Sequence, residues 1–265
     1  MEEEEPSGRV PKRPLWSGAV TIGLVNVPVK LYVMTFDKAF SFRFLHKQDG
    51  QPLKYQRVCV KDNRVVPWED IARGYEVRKN QFIMFDTKEL DAARPQSSQK
   101  IRIDKFVDYF SIDPIYFEKS YILTPDKSSE AYSLLLTALQ KTQKAGVGRI
   151  TLRTKEYPIL LHAYKDALVM TTLRYANEIS DPTKFEELKQ LKEPERKEVD
   201  LAIKIVKDLS GDFDITEYKD AYAERIRQLI AKKLKGETIV AEKPVKPEAK
   251  ELMLALQETL KQLKK

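Results

Sequence analysis

Near the start of the sequence, hydrophobic and polar positions alternate over two short stretches. Val20, Ile22 and Leu24 form the first run, and after Asn26 a second run continues through positions 27, 29, 31 and 33. A period of two places successive side chains on opposite faces, so these runs predict two β-strands. Because proline cannot donate to a strand ladder, Pro28 predicts a sheet edge or a bulge instead of a central strand.

Further strands are predicted between positions 82 and 174, with one helix among them. Short apolar or alternating runs cover residues 82–85, 101–107, 121–123, 149–154, 157–163 and 168–174. Lys165 and Asp166 predict a hairpin turn between the last two. The helix can begin at Ser128 or Ser129, and its apolar face is formed by Tyr132, Leu135, Leu136 and Leu139. Many strands with few helices and repeated turns favour a β-barrel or another closed sheet.

The pattern changes at both ends of this region and divides the chain. Residues 1–14, with four consecutive glutamates, predict a disordered N-terminal extension, and residues 15–180 a mainly β core. Residues 181–235 predict a helical arm, with helical periodicity over 195–209 and 214–234. Residues 236–265 predict a basic linker and a short helix whose stripe is Leu252, Leu256, Leu260 and Leu263.

Residues 36–81 interrupt the core, and we call them the insertion. They are rich in charged and turn residues, and their apolar periodicity is weak. A segment of this length exceeds an ordinary loop, so it is either functional or holds short strands of its own.

The composition narrows the function classes. The chain has 265 residues, a net charge of +7 and one cysteine, Cys59. The positive charge favours a polyanionic partner without requiring one. One cysteine excludes an internal disulfide framework and is typical of the reducing cytosol. We expect neither a membrane anchor nor a secretory signal, because no apolar run is long enough and the first residues are acidic.

Few residues could carry catalysis or bind a metal. His46 and His162 are the only histidines, and Cys59 lies among valines, as a structural cysteine does. We find no zinc spacing and no phosphate-binding glycine loop. Lys47-Gln48-Asp49-Gly50 is similar to the Lys-x-Asp-Gly motif of nucleotidyltransferases, whose lysine attacks the α-phosphate of ATP. Such a short motif arises often by chance, and Gln51 and Pro52 favour a hairpin tip.

Basic residues are spread along the insertion instead of forming one block. Between Arg43 and Lys79 nine basic and five acidic residues give a net charge of +4. This spacing is typical of a surface that follows a phosphate backbone, and equally of a solvated loop. A second basic group, Arg149, Arg153 and Lys155, lies beside a predicted hairpin.

Several separated stretches, in order, resemble the bacterial Ku proteins. The opening is carried by Trp16-Ser17-Gly18-Ala19-Val20 and by residues 23–32 (GLVNVPVKLY). Further stretches are 55–59 (YQRVC), 73–76 (RGYE), 112–117 (IDPIYF) and 119–121 (KSY). Together they cover roughly residues 15–180.

The resemblance implies a fold and a function. The fold is α+β and mainly β: a β-barrel core, a long arching insertion that matches residues 36–81, and a C-terminal helical arm. In Ku proteins two subunits close a ring around double-stranded DNA, bind its ends independently of sequence, and recruit an ATP-dependent end-joining ligase through the C-terminal region. The resemblance implies no catalytic residue, cofactor or metal, and a cytoplasmic protein associated with the prokaryotic nucleoid.

The resemblance also assigns candidate DNA-binding residues, most of them by segment. The arch would be lined by Lys47, Lys54, Arg57, Lys61, Arg64 and Arg73. The cradle beneath it would be lined by Lys30, Arg43, Arg149, Arg153 and Lys155. The basic C-terminal tail could add further contacts.

Two other functions stay open on the sequence alone. One is a nucleotidyltransferase that uses Lys47. Incubation with labelled ATP would then give a covalent adduct on the protein that is lost in Lys47→Ala. The other is an interaction scaffold whose positive charge is incidental, for which DNA binding would show no salt dependence.

Overall fold

The structure is a computed structural model that describes residues 11–36, 40–93, 99–127, 129–236 and 258–259. The chain divides into two compact units. The barrel unit comprises the described residues of Met1–Lys38 and Phe42–Ser180, and the C-terminal unit those of Ala39–Ser41 and Asp181–Lys265. Most of the predicted N-terminal extension lies outside the described residues. So does the predicted C-terminal helix, apart from helical residues 258 and 259.

Seven strands close into a barrel, which confirms the predicted β-barrel core. In order around the barrel they are β1 (Trp16–Ile22), β2 (Val25–Val33), β6 (Phe117–Pro125), β9 (Ala167–Leu173), β8 (Lys155–Tyr164), β7 (Lys144–Leu152) and β5 (Lys100–Asp108). All neighbours are antiparallel except β1 and β5, which run parallel. Two further strands, β3 (Arg73–Arg78) and β4 (Gln81–Phe85), form a separate hairpin that spans the end of the insertion.

Four of the alternating side chains of β1 and β2, Val20, Val27, Val29 and Leu31, are fully buried in the barrel together with apolar residues from the other strands. Leu24, the last residue of the first predicted run, instead lies in the turn between β1 and β2 and is fully exposed. The helix α1 (Thr87–Ala92) follows β4, and α2 (Ser129–Thr142) follows β6. From α2, Tyr132 and Leu139 are buried against this core. Ser128, one of the two predicted caps of α2, lies outside the described residues.

Pro28 departs from its prediction, because β2 is a central strand with β1 on one side and β6 on the other. The Asp126 N–H donates to the Pro28 carbonyl at 3.0 Å, and Pro28 has no N–H to return the bond. The paired residues of β2 and β6 accordingly begin one position later, at Val29 and Pro125. The proline is tolerated because it lies where one ladder ends.

The start of β7 is a second difference from the sequence prediction, which began this strand at Arg149. The strand already begins at Lys144 and includes two glycines. A Cβ on Gly148 would lie 1.8 Å from the Arg102 carbonyl oxygen of β5. Glycine is therefore required for the two backbones to approach, and it carries no apolar signal that could have predicted the strand.

The C-terminal unit is helical and contains α3 (Glu186–Lys189), α4 (Arg196–Asp208) and α5 (Ala221–Leu234). The helix predicted over 214–234 begins only at Ala221, where the Asp220 carboxylate accepts from the Ala223 N–H at 2.9 Å. Asp214 instead caps a separate short 3-10 turn, Ile215–Glu217. Two caps within seven residues explain why helical periodicity alone merged the two elements.

The Tyr132 hydroxyl joins α2 to the barrel. It donates to the Leu123 carbonyl of β6 at 2.7 Å and accepts from the Leu168 N–H of β9 at 2.8 Å.

We expect Tyr132→Phe to lower the free energy of unfolding by about 1–3 kcal/mol, because it leaves two buried backbone groups without a partner. Urea unfolding followed by circular dichroism measures this. Tyr55→Phe, at an 81% exposed tyrosine, is the matched control, and equal losses in both variants would contradict the role of the bridge.

Candidate nucleic-acid interface

The insertion is held by local backbone contacts. Isolated bridges join Leu45 to Pro52 and Val58 to Val65, and the β3–β4 hairpin follows. None of its described residues is buried. Its side chains are therefore positioned by turns and not by a core.

Two of these turns carry predicted site residues at their tips. Lys47 lies in a turn in which His46 Nδ1 is 2.8 Å from Asp49 Oδ1, and the Gly50 N–H donates to the His46 carbonyl at 2.8 Å. Lys61 lies in a second turn, closed by the Asn63 N–H on the Cys59 carbonyl at 2.9 Å. Both lysines are exposed, as expected of polar residues at turn tips.

Most basic side chains of the insertion have no acidic partner. Among the described residues, no ion pair is formed by Arg43, Lys47, Lys54, Lys61 or Arg73, all of them exposed. Arg64 contacts Asp62 at 3.6 Å, and the Arg57 guanidinium lies 4.5 Å above the centre of the Trp68 ring, which leaves its charge uncompensated. Arg43 belongs to this group by position, although the resemblance placed it in the cradle.

The basic residues of the barrel are mostly paired. Arg149 of β7 lies 3.4 Å from Asp104 and 3.7 Å from Glu156, and Lys155 of β8 lies 3.1 Å from Glu178. The hydrogen bond to Glu178 raises the pKa of Lys155. The Tyr175 backbone N–H and then Lys155 lower the pKa of Glu178. These side chains therefore stay charged near neutral pH, but each basic group already has a carboxylate beside it.

The barrel residues do not form one patch. Arg149, Arg153 and Lys155 surround the turn between β7 and β8, and Arg153 forms no ion pair with described residues. Lys30 instead pairs with Asp126 at 3.1 Å, just beyond the end of β6. The strand register places that end of β6 at the barrel end opposite the β7–β8 turn. Of the predicted cradle residues, the structure thus brings Arg149, Arg153 and Lys155 together and separates Lys30 from them, while Arg43 belongs to the insertion.

One basic residue near this turn was missed by the sequence reasoning. Arg102 of β5 is paired in register with Arg149 of β7, and its Nε lies 3.0 Å from the same Asp104 carboxylate. Asp104 is thus shared by two arginines, of which Arg149 also contacts Glu156. The register of β5 and β7 is the signal that could have found it, and that register depends on the glycine at 148.

The remaining candidates for chemistry belong to different elements of the chain. Cys59 is a half-buried free thiol, and His162 is half-buried in β8, where burial lowers its pKa. Within the described ranges, no three His, Cys, Asp or Glu side chains come close enough to hold a metal ion. The helices in that part of the chain are also too short or too polar to cross a membrane.

Comparison with known proteins finds a family model and curated relatives. The model described as the Ku70/Ku80 beta-barrel domain matches residues 21–201. A protein of Heliobacterium modesticaldum is 35% identical over 95% of this chain and 92% of its own length. One from Anaeromyxobacter sp. (strain K) is 38% identical over 86% and 78%, and one from Archaeoglobus fulgidus 34% identical over 95% and 100%. Each is named non-homologous end joining protein Ku.

The Lys155–Glu178 pair gives a test of the barrel residues. We expect Glu178→Gln to tighten the binding of a short DNA duplex roughly twofold to fivefold, because it frees a lysine that can then neutralise a phosphate. Fluorescence anisotropy at one fixed salt concentration measures the affinity. Glu130→Gln on α2 removes the same charge elsewhere and is the control; an equal gain in both variants would mean that only net charge matters.

Proposed function

Because the chain belongs to the Ku family, we propose that two copies of it form a ring that binds the ends of double-stranded DNA independently of sequence and acts without catalysing a reaction. The ring protects and bridges the ends of a double-strand break for repair by non-homologous end joining. The observation that carries this proposal is the set of exposed, unpaired basic residues along the insertion. Contacts with phosphates fix the position of a protein on DNA but carry no sequence information.

The distribution of charge distinguishes a surface that would bind DNA strongly from one that would bind it weakly. On the insertion, Lys47, Lys54, Lys61 and Arg73 are free to replace the counterions of the phosphate backbone. On the barrel, Arg149 and Lys155 already contact carboxylates, so each phosphate contact there would compete with an existing ion pair. We therefore assign most of the binding free energy to the insertion and a weaker, positioning role to the β7–β8 turn.

Exposed apolar side chains on the β3–β4 hairpin, at the end of the insertion, support a homodimer. Tyr75, Phe82 and Met84 of the β3–β4 hairpin are 67%, 59% and 75% exposed. A two-stranded hairpin with apolar residues on both faces is at best marginally stable in water, so a second copy of this chain that covers it would stabilise both insertions. Two insertions held in this way would close a ring that DNA can enter only at a free end.

The C-terminal unit has a surface on which a ligase could dock. The α4 face formed by Val199, Ala202, Ile203 and Val206 is an apolar groove flanked by Glu198 and Lys207. We assign recruitment of the ATP-dependent end-joining ligase to the C-terminal region and place the protein with the nucleoid in the cytoplasm.

Val206→Asp should abolish stimulation of that ligase while DNA binding persists. Unchanged stimulation would exclude this groove, and a fluorescent fusion that stays away from the nucleoid would contradict the localisation.

A competition between linear and circular DNA tests the ring. We expect a linear duplex to bind and the same duplex closed into a covalent circle to compete at least about tenfold less well. The circular DNA has no end over which the protein ring could load. The complex should sediment with the mass of two 30.7 kDa chains in addition to the mass of the duplex. Cutting the circle once restores an end and is the control. Equal competition by closed circles would mean that the protein binds the duplex from the side.

The salt dependence of binding tests the basic residues of the insertion. We expect Lys54→Gln combined with Arg73→Gln to reduce the slope of log affinity against log salt by about 1.8 for each chain on the DNA, at about 0.9 for each phosphate that is no longer neutralised. Anisotropy titrations across a salt series measure the slope. Lys141→Gln with Lys192→Gln removes the same charge from exposed positions outside the insertion, and these changes should leave the slope unaltered. Equal slopes for the two double variants would show that another face contacts DNA.

A further inference from the structure

A pocket of about 330 Å³ opens at the barrel end away from the β7–β8 turn. It lies where β5 and β8 end and β7 begins, beside the C-terminal turn of α2. Leu139 of α2, 4% exposed, is its buried apolar lining residue. The volume lies at the lower end of the range found for ligand-binding pockets, about 300–1,000 Å³.

The wall of the pocket is aromatic. The Tyr109 ring lies 4.8 Å from the His162 ring at 52°, and the Phe110 ring stands edge-on to Tyr109 at 5.4 Å and 87°. Phe110 is 86% exposed. An exposed phenyl ring beside a concave aromatic wall is a feature of binding sites and adds nothing to the barrel core.

His162 sets the polarity of the wall. Its Nδ1 lies 3.2 Å from the Ala163 carbonyl, which can only accept, so Nδ1 carries the proton. Burial lowers the pKa of His162 and keeps the ring neutral. Nε2 is then an acceptor, and no described residue donates to it. An aromatic side chain that can donate, the tyrosine hydroxyl or the tryptophan indole N–H, matches this wall.

The lining carries two lysines and no carboxylate. Lys144 pairs with Asp108 at 2.5 Å, whereas Lys165 has no ion pair with described residues and lies 5.6 Å above the centre of the Tyr164 ring. The Gln140 side-chain amide donates to the Lys165 carbonyl at 2.9 Å and fixes the turn that presents this lysine. The rim therefore attracts negative charge through one uncompensated lysine.

We propose that this pocket binds an extended segment of a partner protein in which a tyrosine or tryptophan is flanked by acidic residues. The aromatic side chain stacks against Tyr109 and Phe110 and donates to His162, and an acidic neighbour pairs with Lys165. A nucleotide fits less well, because its phosphates would have a single free lysine and would face the lone pair of a neutral imidazole. The pocket and the β7–β8 turn lie at opposite ends of the barrel, so partner and DNA bind together.

The test uses the full chain and a fluorescein-labelled peptide, Gly-Asp-Asp-Tyr-Asp-Asp-Gly, followed by anisotropy. We expect Phe110→Ala and Lys165→Glu each to weaken binding about tenfold, in the range found when an anchor residue of an interface is truncated. The same peptide with phenylalanine in place of tyrosine should bind several-fold more weakly, because it cannot donate to His162. Leu134→Ala and Lys141→Glu, at exposed α2 positions outside the lining, are the controls and should bind as the unaltered chain does.

Three outcomes would overturn the proposal: equal binding by a peptide with a central alanine, unchanged affinity in Phe110→Ala, or displacement of the peptide by an equal concentration of AMP, which would make the pocket a nucleotide site. Phe110→Ala should leave the affinity for linear duplex DNA unchanged. A failure of the pocket is thereby distinguished from a failure of the proposed DNA binding.

Discussion

Closing a ring of seven strands imposes one constraint on the whole barrel. Directions can alternate all the way around only if the number of strands is even, so seven strands require at least one parallel pair. That pair is β1 and β5, and only three residue pairs join them, from Ala19–Lys100 to Thr21–Arg102. The Gln99 carbonyl accepts from the Ala19 N–H at 3.0 Å, and a Cβ on Gly18 would lie 2.3 Å from the same oxygen. The barrel thus closes through a short seam that glycine makes possible. The insertion lies in the chain between β2 and β5, the two strands that flank β1.

Local pattern predicted the parts of the fold that local physics determines. The period of two in β1 and β2 and the apolar face of α2 each reflect a single element against one core, so the sequence carries them directly. The first half of β7 could not be predicted, because Gly148 is selected by the approach of β5 and has no side chain to show in a pattern. The start of α5 was misplaced for a different reason: Asp214 and Asp220 both cap helical turns, and periodicity does not reveal which of them begins the longer helix.

The candidate site also has one part that the sequence predicts and another that depends on the fold. That basic residues lie along the insertion is visible in the sequence, since a loop without a core exposes what it contains. That Lys155 is paired with Glu178, 23 positions later, depends on the ends of two elements meeting in space. The sequence therefore does not show which basic residues are paired with a carboxylate. Most of the predicted basic residues of the barrel are paired in this way, and most of those on the insertion are not. The pocket beside His162 was missed for a related reason, because its residues come from the 3-10 turn after β5, the C-terminal end of α2, the start of β7 and the end of β8, and share no motif.

The insertion also bears on how the family can vary. It leaves the barrel after β2 and returns before β5, and none of its described residues is buried. The entropy of closing such a loop grows only with the logarithm of its length, at about 0.6 kcal/mol for each doubling. Residues can therefore be gained or lost there at almost no thermodynamic cost to the barrel. Selection can reshape the reach and charge of this segment while the strands that carry it stay as they are, so the two parts of one chain are free to evolve at different rates.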